Sequence, residues 1–392
     1  MFNKIKSWFN VSASSEEVKY DFQDPLKKTI LIIDDDLPQH DKSSGSKRLF
    51  ELAKIFKLLN FNVIFLPDNG RATEPYYAQL KELEIDIMLS NDKRGIINNL
   101  KKHLHLIDYA WISRPMLNLK YRKHIKSNKK IKIIFDTVDL HFVRMLRQAE
   151  SEGNEKLRRK AIKFKKLELE LADTADATVM VTETERELLE SERIRNVFVI
   201  PNIHELKIPA QDLGFSERQG LVFIGGYKHE PNIDAVKWLA NDILPLIKKL
   251  QGDIPTYLLG SYPPAEVIDL ANENIKVPGY LEDVSDYFLK ARIFVAPLRY
   301  GAGMKGKIGQ SLEFGLPIVS TSIGAEGMDL THENNVLIAD NAEDFANEII
   351  RLYNDEKVWS GIRKNAFNAI AEYTPEVVEA KLKSMFKYLE AK

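Results

Sequence analysis

Cysteine is absent from all 392 residues, which rules out disulfides, thiolate nucleophiles and cysteine-ligated metals and suits a cytoplasmic protein. No run of 18 apolar residues occurs, so no segment is built to span a bilayer as a helix. The N-terminus lacks the continuous apolar stretch of a secretory signal. The eight histidines are dispersed, which argues against a zinc site. Net charge is nearly absent too. With 56 Lys and Arg against 57 Asp and Glu, and 44% apolar residues, the chain reads as globular rather than disordered. No internal repeat or low-complexity tract is evident.

At this length one core does not suffice, and two domains of about 150 to 200 residues are expected. The even charge hides a local imbalance. Residues 101–170 hold 19 Lys and Arg against 8 Asp and Glu, an excess of 11. Such a face attracts anionic membranes, phosphorylated substrates or nucleic acid, or is simply a solvated surface. Residues 1–25 stand apart. Phe2, Ile5, Trp8 and Phe9 share a helical face beside Lys4 and Lys6, so the segment reads equally as an interfacial anchor or as a tail.

From Thr29 onward strands and helices alternate, the signature of a parallel α/β sheet. Strands are predicted at Ile30–Ile33, Val63–Leu66, Tyr109–Ser113, Lys132–Phe135, Val179–Thr182 and Val197–Ile200. The first is followed by Asp34, Asp35 and Asp36, read as a solvated, capping loop rather than a metal motif. Gly45 and Ser46 open the next helix, whose N-terminal N–H groups can face a polar ligand. Ligands of open α/β sheets collect at the carboxyl ends of strands, which makes Arg114, Asp139, His141 and Arg144 cleft candidates. A basic helix over about Leu157–Leu171 offers a docking side. Pro201–Glu217 reads as the interdomain connection. The pattern then restarts, with strands at Leu221–Ile224, Thr256–Leu259, Ile275–Val277 and Val336–Ala339, and a Gly225-Gly226 turn after the first.

The most informative stretch is Val295 to Met328, VAPLRYGAGMKGKIGQSLEFGLPIVSTSIGAEGM. A buried strand enters a loop with glycines at 301, 303 and 306, and a helix is predicted over about Lys307–Phe314. Strand, glycine turn and helix N-terminus aim backbone N–H groups and a partial positive charge at one spot, which suits phosphate. Lys305, Lys307 and Arg299 add full charges beside it.

The run GAGMKGKIGQSLEFGLPIVSTSIGAEGM resembles the donor-binding segment of retaining glycosyltransferases of family 4, in the subgroup with a GAGxKGK loop. ILIIDDDLPQHDKSSGSKRLFELAKIFKLLNFNVIFLPDN, FDTVDLHFVRMLRQAE and VFIGGYKHEPNIDAVKWL are similar to further blocks of that family, in its order, over roughly residues 29–370. The resemblance implies a GT-B fold, in which two Rossmann-like doubly wound domains face across a cleft. It divides the chain into an extension at 1–25, an acceptor domain at 26–205, a linker at 206–218, a nucleotide-sugar domain at 219–372 and a C-terminal helix at 373–392 that crosses back onto the first domain. It implies transfer of a sugar with retention, from a nucleotide-diphosphate donor to a glycan or lipid-linked acceptor in cell-surface polysaccharide or glycoconjugate synthesis, without metal or other cofactor. A noncatalytic nucleotide- or glycan-binding protein and a nucleotide-sugar epimerase are the alternatives.

Carried onto this sequence, the resemblance gives His141 and Asp139 the catalytic positions against the donor sugar. Arg299, Gly303, Lys305, Lys307, Gly225 and Gly226 hold the diphosphate. Gln310, Glu313, Glu326 and Gly45 line the sugar and ribose, and Gly279, Tyr280 and Leu281 meet the base. Arg114 and Arg144 lie on the acceptor side. Membrane contact is expected through 1–12 and 156–166, on a cytoplasmic protein at the inner face of the membrane, with no nucleic-acid partner. Two departures stand out. Ala302 and Gln310 occupy the places of a common glutamate pair, and Gly226 and Pro231 those of a common arginine and lysine.

Overall fold

The computed structural model describes residues 26–90, 93–207 and 213–391, so the N-terminal extension lies outside the described residues. Thirteen strands among them form two sheets. The first contains β1 (Thr29–Asp34), β2 (Asn62–Pro67), β3 (Asp86–Ile87), β4 (Tyr109–Ser113), β5 (Lys132–Asp136), β6 (Ala177–Met180) and β7 (Val197–Val199), in the order β3-β2-β1-β4-β5-β6-β7. The second contains β8 (Leu221–Ile224), β9 (Thr256–Leu259), β10 (Ile275–Gly279), β11 (Ile293–Ala296), β12 (Ile318–Ser320) and β13 (Leu337–Ile338), in the order β10-β9-β8-β11-β12-β13. Every pairing between named strands is parallel.

The strand sequences explain why both sheets are covered on two faces. In β1, Ile30 and Ile32 enter one core cluster while Leu31 and Ile33 enter another. In β8, Leu221 and Phe223 face one cluster and Val222 the other. Unbroken apolar runs of this kind need helices on both sides, as parallel sheets require. Strand order reverses at β1 and β4 in the first sheet and at β8 and β11 in the second. A crevice therefore opens at the carboxyl ends of those strands in each lobe.

The last helix, Pro375–Glu390, buries Val378, Leu382, Met385, Phe386 and Leu389 in the first lobe's core, with the spacing of one apolar stripe. Phe386 stacks against Phe61, Tyr109 and Phe56 at ring-centroid distances of 4.8, 5.1 and 6.0 Å. Burying such a ring stabilises by roughly 1.5 to 3 kcal/mol. The connection between lobes is not a loose tether. Ile203 and His204 are buried, and the His204 N–H donates to Tyr373 O at 2.9 Å. The sequence reading missed helices Tyr76–Glu82 and Lys93–His103 and the two-residue strand β3.

Candidate active site

The loop after β5 carries the first lobe's contribution. Its base is fixed at Asp136, which accepts from Arg48 Nη1 at 2.7 Å and Trp111 Nε1 at 2.9 Å. Val138 then takes φ +64°, a left-handed conformation that costs a β-branched residue strain. Arg114, at the end of the neighbouring β4, shares this with φ +66°. The turn delivers Asp139, whose Oδ1 lies 3.0 Å from His141 Nε2 and whose Oδ2 accepts from Arg144 Nε at 2.9 Å. Burial alone would raise the Asp139 carboxyl. The His141 bond and the charges of Arg144 and Arg114 outweigh it and bring the pKa to about 2. Asp139 is therefore a fixed carboxylate that orients His141.

The second lobe contributes the lysine loop and the helix Gly306–Glu313, which begins one residue before its predicted start. Lys307 Nζ donates to Asn232 Oδ1 and sits 4.3 Å above the Phe223 ring. Its one resolved charged neighbour is another cation, Lys305, and burial followed by that repulsion lowers its pKa to about 7. Among the described residues no carboxylate pairs with this ammonium. Asn232 also donates to Gly226 O at 2.8 Å and covers Gly225, so both turn glycines lie beside Lys307. His229, unremarked in the sequence, occupies the N-cap position of the helix Glu230–Trp238 without a side-chain capping bond. Burial, then the charges of Arg144, Lys307 and Arg114, lower its pKa against the opposing pull of Asp139. Cations of both lobes thus converge at one end of the crevice.

Several assigned residues serve other ends. Arg299 is bound through Nε and Nη2 to Asp234 and stacks on Trp238, so its fork is not free for phosphate. Glu313, fully buried, is not on a ribose. Lys47 Nζ and His204 Nδ1 bind Oε1 at 2.5 and 2.7 Å, and Lys207 Nζ lies 3.1 Å from Oε2. These partners outweigh the cost of burial and hold its pKa at about 2. Glu326 is likewise occupied. Arg147 grips both its oxygens at 2.6 and 2.8 Å, and Lys305 Nζ lies 3.2 Å away. Lys305 is consequently paired, sharing Glu326 with Arg147, whereas Lys307 has no carboxylate partner among the described residues.

The glycines at 303, 306 and 309 mainly allow lobe contact. A Cβ at Gly303 would lie 3.0 Å from Asp139 Cβ, and one at Gly306 2.2 Å from Ser44 Cβ. A side chain on Gly309 would strike the His204 ring. A Cβ at Gly45 would meet Val138 Cγ1 at 3.6 Å, which places this glycine beside the turn that carries Asp139. Gln310 is partly exposed on the same helix. Gly279 takes φ +79° at the end of β10, followed by partly buried Leu281. The Tyr280 hydroxyl donates across the cleft to Asp41, which also accepts from Tyr76 at 2.7 Å.

Arg114, assigned to the acceptor, is held by Asp34 and Asp35 at 2.9 and 3.3 Å, and Asp36 caps Leu37 N. The acidic triplet is thus spent on an arginine and a loop. No group of three or more His, Asp or Glu among the described residues is arranged to hold a metal. Arg147 was the main omission. The steps from His141 to Arg144 and from Arg144 to Arg147 are three residues each, which places all three on one side of the helix His141–Ser151 and was the available signal.

Residues 218–355 match the family model described as Glycosyl transferases group 1, a span that includes the whole second sheet and the lysine loop. A 44.6 kDa protein in the cps region of Klebsiella pneumoniae is 30% identical over 183 residues, which is 44% of this chain and 45% of that protein. The chain thus spans under half of that relative's length. Solved structures are similar over far more. Sucrose-phosphate synthase from Thermosynechococcus elongatus is 11% identical with a TM-score of 0.68, over 93% of this chain and 100% of that one. A mutant of S. aureus TarM in complex with fondaparinux, alpha-GlcNAc-glycerol and UDP is 12% identical with a TM-score of 0.70, over 92% and 100%. HepE from Anabaena in complex with UDP-glucose is 14% identical with a TM-score of 0.68, over 93% and 100%.

The fold is GT-B. In this GT-B chain the crevice between lobes is bounded by Asp139, His141 and Arg144 on one side and by Gly225, Asn232 and Lys307 on the other. Arg147–Glu326, Lys47–Glu313 and Asp41–Tyr280 cross it. These side-chain links join the two lobes.

Proposed function

We propose that the chain is a metal-independent, retaining glycosyltransferase that moves a sugar from a nucleotide-diphosphate donor to a glycan or lipid-linked acceptor. The observation that carries this is Lys307, an ammonium without a carboxylate partner among the described residues, beside a glycine turn and a helix N-terminus. A leaving diphosphate supplies the missing negative charge, and the pre-aimed cation stabilises that charge as it develops. His141, oriented by Asp139, faces the donor sugar. Ion pairing occupies Glu313 and Glu326, so neither serves as the nucleophile of a double displacement. In this reading the phosphate departs and the acceptor attacks on the same face, which retains configuration, with the phosphate taking the acceptor proton. UDP-containing neighbours make uridine the first base to test, and a relative in a cps region supports a polysaccharide setting.

A panel of nucleotide sugars with lipid-linked and oligosaccharide acceptors tests this. At least one donor is expected to be turned over, and EDTA is expected to leave the rate within about twofold, because fixed cations do the work of a metal. Abolition by EDTA, reversed by a divalent ion, overturns metal independence. Turnover of a donor without acceptor, to an isomeric nucleotide sugar, overturns transfer.

The acceptor's lipid is met by a basic face in this reading. Lys156, Arg158, Arg159, Lys160, Lys163 and Lys166 are exposed on helix Glu155–Asp173, with Ile162 56% exposed among them. Each such cation near an anionic surface contributes about 1 kcal/mol. No helix among the described residues is long and apolar enough to cross a membrane. Co-flotation with vesicles of anionic lipid at low salt, lost on replacing four of these cations with glutamine, is the expected result. Equal flotation of the variant discards this face as the contact.

A further inference from the structure

Behind the Asp139–His141 turn lie two carboxylates that the proposed reaction does not use. Glu168, 1% exposed, comes from helix Glu155–Asp173, and Glu185, 5% exposed, from helix Glu183–Ser191. They bind three successive backbone amides. Leu140 N donates to Glu185 Oε1 at 3.0 Å, His141 N to Glu168 Oε1 at 3.0 Å and Phe142 N to Glu168 Oε2 at 2.8 Å. These amides form the N-terminus of helix His141–Ser151, where orphan N–H groups and the helix dipole favour an anion. Here the anion is part of the chain.

We propose that Glu168 is a positioning residue for His141, fixing the backbone from which the imidazole reaches the donor sugar; this rests on the glycosyltransferase reading above. Glu168 engages two amides with two oxygens and so sets the rotation of the helix's first turn, whereas Glu185 contributes one oxygen and one bond. The turn needs this support because Val138, three residues before His141, is held at φ +64°. Burial raises the Glu168 carboxyl to about 7 against the pull of the two amides and of His141, with Asp139 adding repulsion. Glu185 is raised to about 7 by burial, with Asp139, Lys305 and Glu326 as its other charged neighbours. Keeping two costly acids under one loop is understandable if the loop's geometry matters.

The difference between one bond and two gives the test. Glutamine at 185 keeps a carbonyl for Leu140 N. Glutamine at 168 keeps one acceptor and presents an NH2 group to the other amide, so the first turn must shift. For Glu168→Gln, kcat is expected to fall about tenfold or more while the donor KM stays within about twofold, the effect of misplacing a group by a fraction of an ångström. For Glu185→Gln, kcat is expected to change by less than about threefold. In ligand-free protein with 13C-labelled histidine, the His141 ring signal, assigned through His141→Gln, is expected to move in Glu168→Gln and hold in Glu185→Gln. An unmoved His141 signal, or an unchanged kcat with only thermal stability lowered, overturns the proposal and leaves Glu168 a helix cap. Should Glu168→Gln not fold, Glu168→Asp withdraws the carboxylate by one methylene and gives the same readouts. Wild-type protein inert towards every donor would defeat the glycosyltransferase reading, while the His141 signal would still decide the positioning role.

Discussion

Lys307→Ala is expected to lower kcat/KM by roughly 100- to 1,000-fold, the range for removing one pre-aimed charge from a developing anion. Binding of the nucleoside diphosphate alone should weaken by about 1.5 to 3 kcal/mol, as for a charge-assisted contact, and isothermal titration reads it directly. Lys305→Ala is the internal comparison. Its ammonium is already matched by Glu326 and by Gly303 O at 2.9 Å, so its loss should affect the Arg147–Glu326 link more than diphosphate affinity. Arg299→Ala, removing a fork bound to Asp234, should change affinity little. Equal affinity of Lys307→Ala and wild type would remove the central support of the proposed function.

The same lysine gives affinity a pH dependence of definite sign. In the free protein its pKa is about 7, below the ordinary lysine value, because the ammonium is buried and has no carboxylate partner among the described residues. A bound diphosphate stabilises the charged form and raises that pKa. Between the free and bound values each binding event takes up a proton, so affinity is full below about pH 7 and falls as pH rises through the window. Proton uptake at pH 8, measured in buffers of different ionisation enthalpy, should be present in wild type and absent in Lys307→Ala.

Strand positions and the crevice were legible in the sequence because they follow from apolar runs and turn residues. Tyr109–Ser113, Leu221–Ile224 and Thr256–Leu259 form as read. Short or amphipathic pieces such as β3 and helix Tyr76–Glu82 carry too little pattern to separate from loop. At the site, residue types and loops were readable but partners were not. Nothing local says that Arg299 meets Asp234, 65 residues away, or that Glu313 is enclosed by Lys47, His204 and Lys207. A cluster of cations in sequence therefore resolved into one ammonium without a carboxylate partner among the described residues and two cations held in ion pairs. The glycines misled for a related reason. A missing side chain serves close approach to protein as well as to phosphate, and Gly306 and Gly309 lie against Ser44 and His204.

The second large effect concerns the first lobe. His141→Ala is expected to lower kcat by about 100- to 1,000-fold, within the range for a positioned histidine, with donor KM changed far less. Asp139→Asn should cost nearly as much. Asp139 accepts from His141 through Nε2, which leaves Nδ1 as the nitrogen not engaged by Asp139. An amide at 139 can present its NH2 group to Nε2, reverse the tautomer and turn Nδ1 from acceptor to donor. It also gives up the negative charge beside Arg144. If the two residues act as one unit, the double variant should be scarcely worse than His141→Ala, because removing the histidine already removes what the aspartate orients. Independent roles would multiply the two losses instead. Single-turnover rates for the four proteins decide between them, and fully multiplicative losses would show that the carboxylate acts on the substrate by itself rather than through the imidazole.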